Sequence, residues 1–289
     1  GNMCRMRVLL TGANGFLGRH LSSEFIRSGI ELIKTTRKGD NNSVACDLNS
    51  KENVGYLINL VKPDLIVHSA AFVPKTLEDY KNLESSYLNR KMLENILMSS
   101  KVPLVYISSM TVYGNSKNIV RCESDAGSPE SPYGVSKYEG ELLLKEDGRD
   151  SLSIRIPGLF GEGRDSGLVN NILMNLSSEE DLELPKSPIL WAAMDVKDAA
   201  KVIIRLVKNS AFKGYTPINV GYSEIYSINR LLAIYERIFH ISIAYEINHP
   251  DFRFDLTLLK KFKVISNGNL KVALMNLKSR YEQENNKGK

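Results

Sequence analysis

The chain has 289 residues, 43% hydrophobic and 25% charged, with a net charge of +5. This ordinary globular composition can bury a good core as one large domain or two interleaved lobes, and no apolar run is long enough to span a membrane. The mild positive excess lies mostly between Lys260 and Lys289 and reads as a solvated face rather than a nucleic-acid surface; Cys4, Cys46 and Cys122 are too scattered for a disulfide framework or metal cluster, and with no evident signal peptide the expected setting is the cytoplasm.

Arg7 to Leu10 reads as a strand, and Phe16 to Ser28 as a helix with Leu17, Leu21, Phe25 and Ile26 on one face. Further strands are expected at Glu31 to Thr35, Ser43 to Cys46, Leu65 to His68, Leu104 to Ile107 and Leu152 to Ile156. Between them lie helices at Asn53 to Val61, Ser85 to Ser99 and Tyr133 to Lys145. Strands that are apolar throughout and alternate with helices imply a parallel sheet covered on both faces: an α/β, Rossmann-type doubly wound sheet. Beyond Gly158 the alternation loosens. The expected division is a dinucleotide-binding domain at 1–157, with returning elements near 189–220, and a smaller interleaved lobe at 158–289 that binds substrate.

Gly12, Gly15 and Gly18 follow the first strand and open the first helix, in the run Thr11-Gly12-Ala13-Asn14-Gly15-Phe16-Leu17-Gly18. Gly12 permits a tight turn, Gly15 lets backbone approach a pyrophosphate, and Gly18 allows close helix–strand packing; the helix N-terminus offers N–H groups to phosphate. An acid ending the second strand would accept from a ribose 2′-OH and favour NAD. Here the residues are Thr35-Thr36-Arg37-Lys38, with no acid before Asp40, so Arg37 points to the 2′-phosphate of NADP, with NAD as the alternative. Asp47, with Leu48 beyond it, either accepts from an adenine amino group or caps a turn. The small residues Ala70 and Ala71 after the fourth strand permit close approach of backbone, and His68 reads as a core histidine.

Ser108 and Ser109 sit where the fifth strand enters a loop, the end at which open α/β sheets bind ligands. Ser109 can donate to a substrate oxygen. Tyr133 and Lys137 lie one helical turn apart on a shared face. A tyrosine titrating near ~10 becomes a usable acid/base when an adjacent ammonium favours its phenolate. Lys137 can also reach a nicotinamide ribose.

These motifs, together with Asn89, Ser109-x-Thr111-Val112-Tyr113-Gly114, Arg155-Ile156-Pro157, Val196-x-Asp198-Ala199 and Ile218-Asn219-Val220-Gly221, resemble an extended short-chain dehydrogenase/reductase of the nucleotide-sugar epimerase/dehydratase family. The resemblance implies that Asn14, Phe16, Leu17, Asn89 and Pro157 join the cofactor site, and that the chain forms a homodimer through the helices at Ser85–Ser99 and Tyr133–Lys145. It also implies a sugar or nucleotide-sugar substrate. The family's 4,6-dehydratases carry an Asp-Glu pair where this chain has Met110 and Thr111, which argues against dehydration. Many 4-epimerases place an asparagine in the segment matching Ile156 to Leu159, where no polar side chain stands here. The arginine that often grips the nucleotide diphosphate has no match within Leu190 to Met194; Arg164 could replace it, and Thr111 and Trp191 complete the candidate substrate residues. The expected activity is an NADP-dependent 4-keto-sugar reductase, with a 4-epimerase as the alternative and a non-catalytic NADP-binding regulator as a rival.

Overall fold

The computed structural model describes residues 6–72, 78–115, 119–209 and 212–288. Its framework comprises β1 (Arg7–Thr11), α1 (Phe16–Arg27), β2 (Glu31–Thr36), β3 (Val44–Ala45), α2 (Lys51–Val61), β4 (Leu65–His68), α3 (Leu83–Ser99), β5 (Leu104–Ser109), β6 (Val120–Arg121), α4 (Pro132–Asp147) and β7 (Ser151–Ile156). There follow β8 (Gly158–Phe160), α5 (Leu168–Ser177), β9 (Ala193–Asp195), α6 (Val196–Asn209), β10 (Tyr215–Asn219), α7 (Ile228–Phe239), β11 (Arg253–Phe254), α8 (Thr257–Lys261) and α9 (Leu270–Asn286).

Seven strands form one parallel sheet in the order β10-β7-β5-β4-β1-β2-β3. Alternate strand residues feed opposite cores, because successive side chains point to opposite faces. Val8 and Leu10 join Leu17, Leu21 and Phe25 of α1 and Val202 and Leu206 of α6. Leu9 and Ile66 join Val54 and Leu57 of α2, Leu93 and Ile96 of α3, and Leu144 of α4. With both faces covered, the central strands β1, β4 and β5 are buried nearly throughout. Each fully buried side chain such as Phe25 stabilises by about 1.5–3 kcal/mol.

Caps set the helix boundaries and move them from those read in sequence. Ser50 accepts from Asn53 N–H and starts α2 two residues before Asn53; Asn82 accepts from Ser85 N–H and starts α3 at Leu83. Ser131 accepts from Gly134 N–H at 3.0 Å, Pro132 occupies the first turn, and Gly148 ends α4 at φ 78°. The strand expected at Ser43 to Cys46 is only the two exposed residues Val44 and Ala45, hydrogen-bonded to β2 at the sheet's edge.

The second half of the chain is more regular than its loosened periodicity suggested. It contributes β10 to the main sheet beside β7 and α6 beside α1. It also forms two small parallel pairs, β8 with β9 and β11 with β6. Among the described residues, no helix is long and apolar enough to cross a membrane.

Candidate active site

The carboxyl ends of β1, β2, β4, β5 and β7 open into a cleft of about 2150 Å³. Its floor is the glycine-rich turn. Gly12 has φ 65°, and a Cβ there would lie 2.6 Å from the Ala70 backbone; at Gly18 it would lie 1.9 Å from the Gly12 carbonyl oxygen. At Gly15 a Cβ would meet only that same oxygen at 3.2 Å, so the fold itself demands little there and the open side faces the cleft. Arg19 braces the turn, its Nε donating to the Asn14 carbonyl at 3.0 Å.

The start of α1 is the strongest cofactor signal. Side chains cap α2, α3, α4, α7 and α9; no side chain caps α1 at Gly15, and α5 and α8 are likewise without one. The first intrahelical bond is from Arg19 N–H to Gly15, which leaves the Phe16, Leu17 and Gly18 N–H groups for a ligand in the cleft they line. A dinucleotide pyrophosphate fits this donor set.

Arg37, Asp47, Leu48, Ala70 and Ala71 line the adjoining wall. Asp40, the first acid after β2, is bent back: its Oδ1 accepts from Asn42 N–H at 2.7 Å, and that bond, with one from the Ser43 side chain, holds its carboxyl below the ordinary value. Asp47 likewise uses one oxygen on Asn49 N–H at 3.0 Å. Asn89 lies behind the wall, not on it: its amide accepts from Phe72 N–H at 2.7 Å and donates to the Phe72 carbonyl at 3.2 Å, shaping the backbone beyond Ala71. Pro157 lies on the wall beyond β7.

The structure brings Ser108, Ser109, Thr111, Tyr133 and Lys137 to one region of the cleft. Ser109 ends β5, and its hydroxyl oxygen accepts from Thr111 N–H at 3.1 Å and from the Thr111 hydroxyl at 2.9 Å. Those bonds use its oxygen as an acceptor and leave its own O–H to serve as a donor. Tyr133 and Lys137 are both buried, with the ammonium 5.7 Å from the Tyr133 ring centroid and 4.9 Å from that of Tyr106. Lys137 Nζ also donates to the Ile107 carbonyl at 2.8 Å. Burial pulls the Lys137 ammonium down to about 8, against the opposing influence of Glu141.

His68 is a core residue whose tautomer the geometry fixes. Thr11 Oγ1 accepts from Ser69 and Ala70 N–H, each at 3.1 Å, so its single proton goes to His68 Nδ1 at 2.7 Å. The ring is therefore neutral, and burial beside Lys137 pushes it down to about 3.

A buried polar spine stands behind the site, and sequence reasoning left out its centre. Glu141 accepts from Ser108 Oγ at 2.5 Å, from Arg155 at 2.6 and 3.0 Å, and from Tyr215 at 3.2 Å. Arg155 also donates to Tyr113 Oη at 3.1 Å, and Tyr113 donates to Asn219 Oδ1. Glu141 lies one turn beyond Lys137 on the face α4 buries, and that acid at helical spacing was the available signal.

Arg164 and Trp191 also line the cleft. Trp191 packs edge-on against Tyr226, 6.3 Å between ring centroids. The wall from Pro185 to Ile189 is tied at both ends by an unanticipated pair. Ile189 N–H donates to His249 Nδ1 at 3.1 Å, His249 Nε2 bonds Tyr245 Oη, and Tyr245 donates to the Pro185 carbonyl at 2.7 Å.

Residues 6–219 match the family model described as the RmlD substrate binding domain. The chain belongs to that family. It is of the extended short-chain dehydrogenase/reductase kind, an enzyme family whose cleft takes an NAD(P) nucleotide, as the motifs implied. Among curated relatives it is 29% identical to spore coat polysaccharide biosynthesis protein SpsK of Bacillus subtilis over 205 residues, covering 69% of each chain. It is 32% identical to rat methionine adenosyltransferase 2 subunit beta over 165 residues, 56% of this chain but only 49% of that one. It is 23% identical to dTDP-4-dehydrorhamnose reductase of Burkholderia thailandensis, covering 73% of this chain and 70% of the relative. In fold it matches WbmG of Bordetella bronchiseptica, solved with NAD and UDP, at a TM-score of 0.81 and 18% identity over 97% of this chain and 96% of that one.

Proposed function

We propose that the protein is an NADP-dependent reductase of a 4-keto-sugar carried on a nucleotide. The observation that carries this reading is the meeting of Tyr133, Lys137 and Ser109 in the cleft that the uncapped start of α1 enters. When bound, the cofactor would supply hydride to the carbonyl carbon. Tyr133 gives its phenolic proton to the developing alkoxide, Ser109 donates to the same oxygen, and Lys137 favours the resulting phenolate. Thr111 fixes the Ser109 hydroxyl so that no reorientation is needed. Arg37 at the exposed end of β2, with Asp40 turned away, supports NADP over NAD. The likeness to dTDP-4-dehydrorhamnose reductase supports a nucleotide-linked keto-sugar.

The test is NADPH oxidation by the purified protein with dTDP- and UDP-linked 4-keto-sugars. Sustained consumption is expected. Interconversion of sugar epimers without net consumption would instead assign a 4-epimerase.

The likeness to a methionine adenosyltransferase subunit favours a second reading, a non-catalytic NADP-binding regulator. A Tyr133→Phe variant that preserved every activity and cellular phenotype would support it. We further propose a homodimer through α3 and α4, which expose Leu83, Tyr87, Met98, Val135 and Leu142.

A further inference from the structure

Arg164 stands at the wrong end of the cleft to be only a substrate residue. Its guanidinium carbon lies 5.0 Å from the centroid of the Phe16 ring, and Phe16 is the first residue of α1. The segment that carries it is docked on the same helical turn. Gly163, at φ 101°, is close enough that a Cβ would meet the Phe16 ring at 3.6 Å. His20, one turn further along α1, bonds the Glu162 carbonyl at 2.7 Å through Nε2. Glu162 is itself held by Lys197 and approached by Arg280 at 4.0 Å, so its carboxylate is turned to α6 and α9. One guanidinium N–H of Arg164 donates to the Leu159 carbonyl at 3.2 Å, which orients the fork.

We propose that Arg164 belongs to the cofactor's pyrophosphate subsite, reaching from the 158–167 segment over the N-terminus of α1, and is not the replacement for a substrate-diphosphate arginine. The assignment rests on the reading of the cleft as a dinucleotide site. The Phe16, Leu17 and Gly18 N–H groups cover one side of a pyrophosphate there. A planar guanidinium above Phe16 supplies paired donors and a full positive charge from the other. The neighbouring Asp165 also lines the cleft, so the charge of Arg164 matters for keeping that rim attractive to an anion. A chain segment from beyond β7 thereby closes on the ligand held by the first βα turn.

Calorimetric titration of the full chain with four probes, ADP-ribose, NADP⁺, adenosine 2′-monophosphate and UDP, tests this. ADP-ribose and NADP⁺ carry the pyrophosphate; adenosine 2′-monophosphate does not. Arg164→Met is expected to weaken ADP-ribose and NADP⁺ binding by about 10-fold or more, the effect of losing a charge-assisted hydrogen bond. Adenosine 2′-monophosphate and UDP should bind the variant as they bind the wild type. Arg164→Lys, which keeps charge without the fork, should fall between. Lys201→Met makes the same charge change in the groove at the other end of α1, beside Glu24 and Arg27, and should leave all affinities unaltered. Undiminished ADP-ribose affinity in Arg164→Met and Arg164→Lys, or selective loss of UDP, overturns the assignment and leaves the cofactor reading standing. Failure of the wild type to bind ADP-ribose overturns both.

Discussion

Tyr133 is the residue whose loss should separate chemistry from binding. Tyr133→Phe removes the transferable proton and is expected to lower turnover by about 10²–10⁴-fold, with NADP⁺ affinity by calorimetry little changed. If Lys137 supports Tyr133 as proposed, it sets the upper pH limit. Burial brings its ammonium down to about 8, so kcat/KM for NADPH-dependent reduction should fall as pH rises through about 8, where the cation is lost. His68 acts at the other end of the scale. Its folded value, about 3, lies below the unfolded ~6.5, so the unfolded chain binds the extra proton. Its effect on stability is nil above about pH 6.5 and grows as pH falls, reaching about 2 kcal/mol at pH 5. A His68→Gln variant should show a flatter dependence of unfolding free energy on pH between 6.5 and 5, measured in urea.

At the scale of elements, the carboxylate of Glu141 ties α4 to β5, β7 and β10 through Ser108, Arg155 and Tyr215. The pair with Arg155 is almost wholly buried, 2% and 3% side-chain exposure, so removing one partner strands the other charge. Glu141→Leu is expected to cost about 3–5 kcal/mol in chemical denaturation, and adding Arg155→Met should recover much of it. Periodicity showed that α4 existed and placed Tyr133 and Lys137 on one face. It did not show Glu141 as their support, because an acid on a helix is ordinarily solvated and only the packed sheet reveals its partners. The His249–Tyr245 tie was hidden for a related reason: its two ends are 60 residues from Ile189 and Pro185, and the segment that carries it has no regular secondary structure.

Across the whole molecule, one uncovered apolar face among the described residues lies on α3 and α4. Leu83 is 74% exposed, Met98 57% and Tyr87 54%, on helices that pack closely on each other. If this face joins two copies, Leu83→Lys combined with Leu142→Lys should convert the sedimenting species to a single chain. The unfolding midpoint at low protein concentration should be unaffected, since neither side chain belongs to the core. Unchanged sedimentation of an assembled species would place the interface elsewhere.

The sequence by itself determined the parallel sheet, the order of its first elements and the chemical character of the cleft. Apolar strands, glycine spacing and the Tyr133–Lys137 turn are local signals, each set by the period or turn of a single element. The tertiary structure decided which polar groups meet. It turned Asp40 away from the cofactor wall, put Asn89 behind that wall, fixed the His68 tautomer through Thr11, and laid Arg164 over Phe16. Those pairings join residues far apart in the chain, and hydrogen bonds and charge contacts leave no periodic trace in sequence from which they could be read.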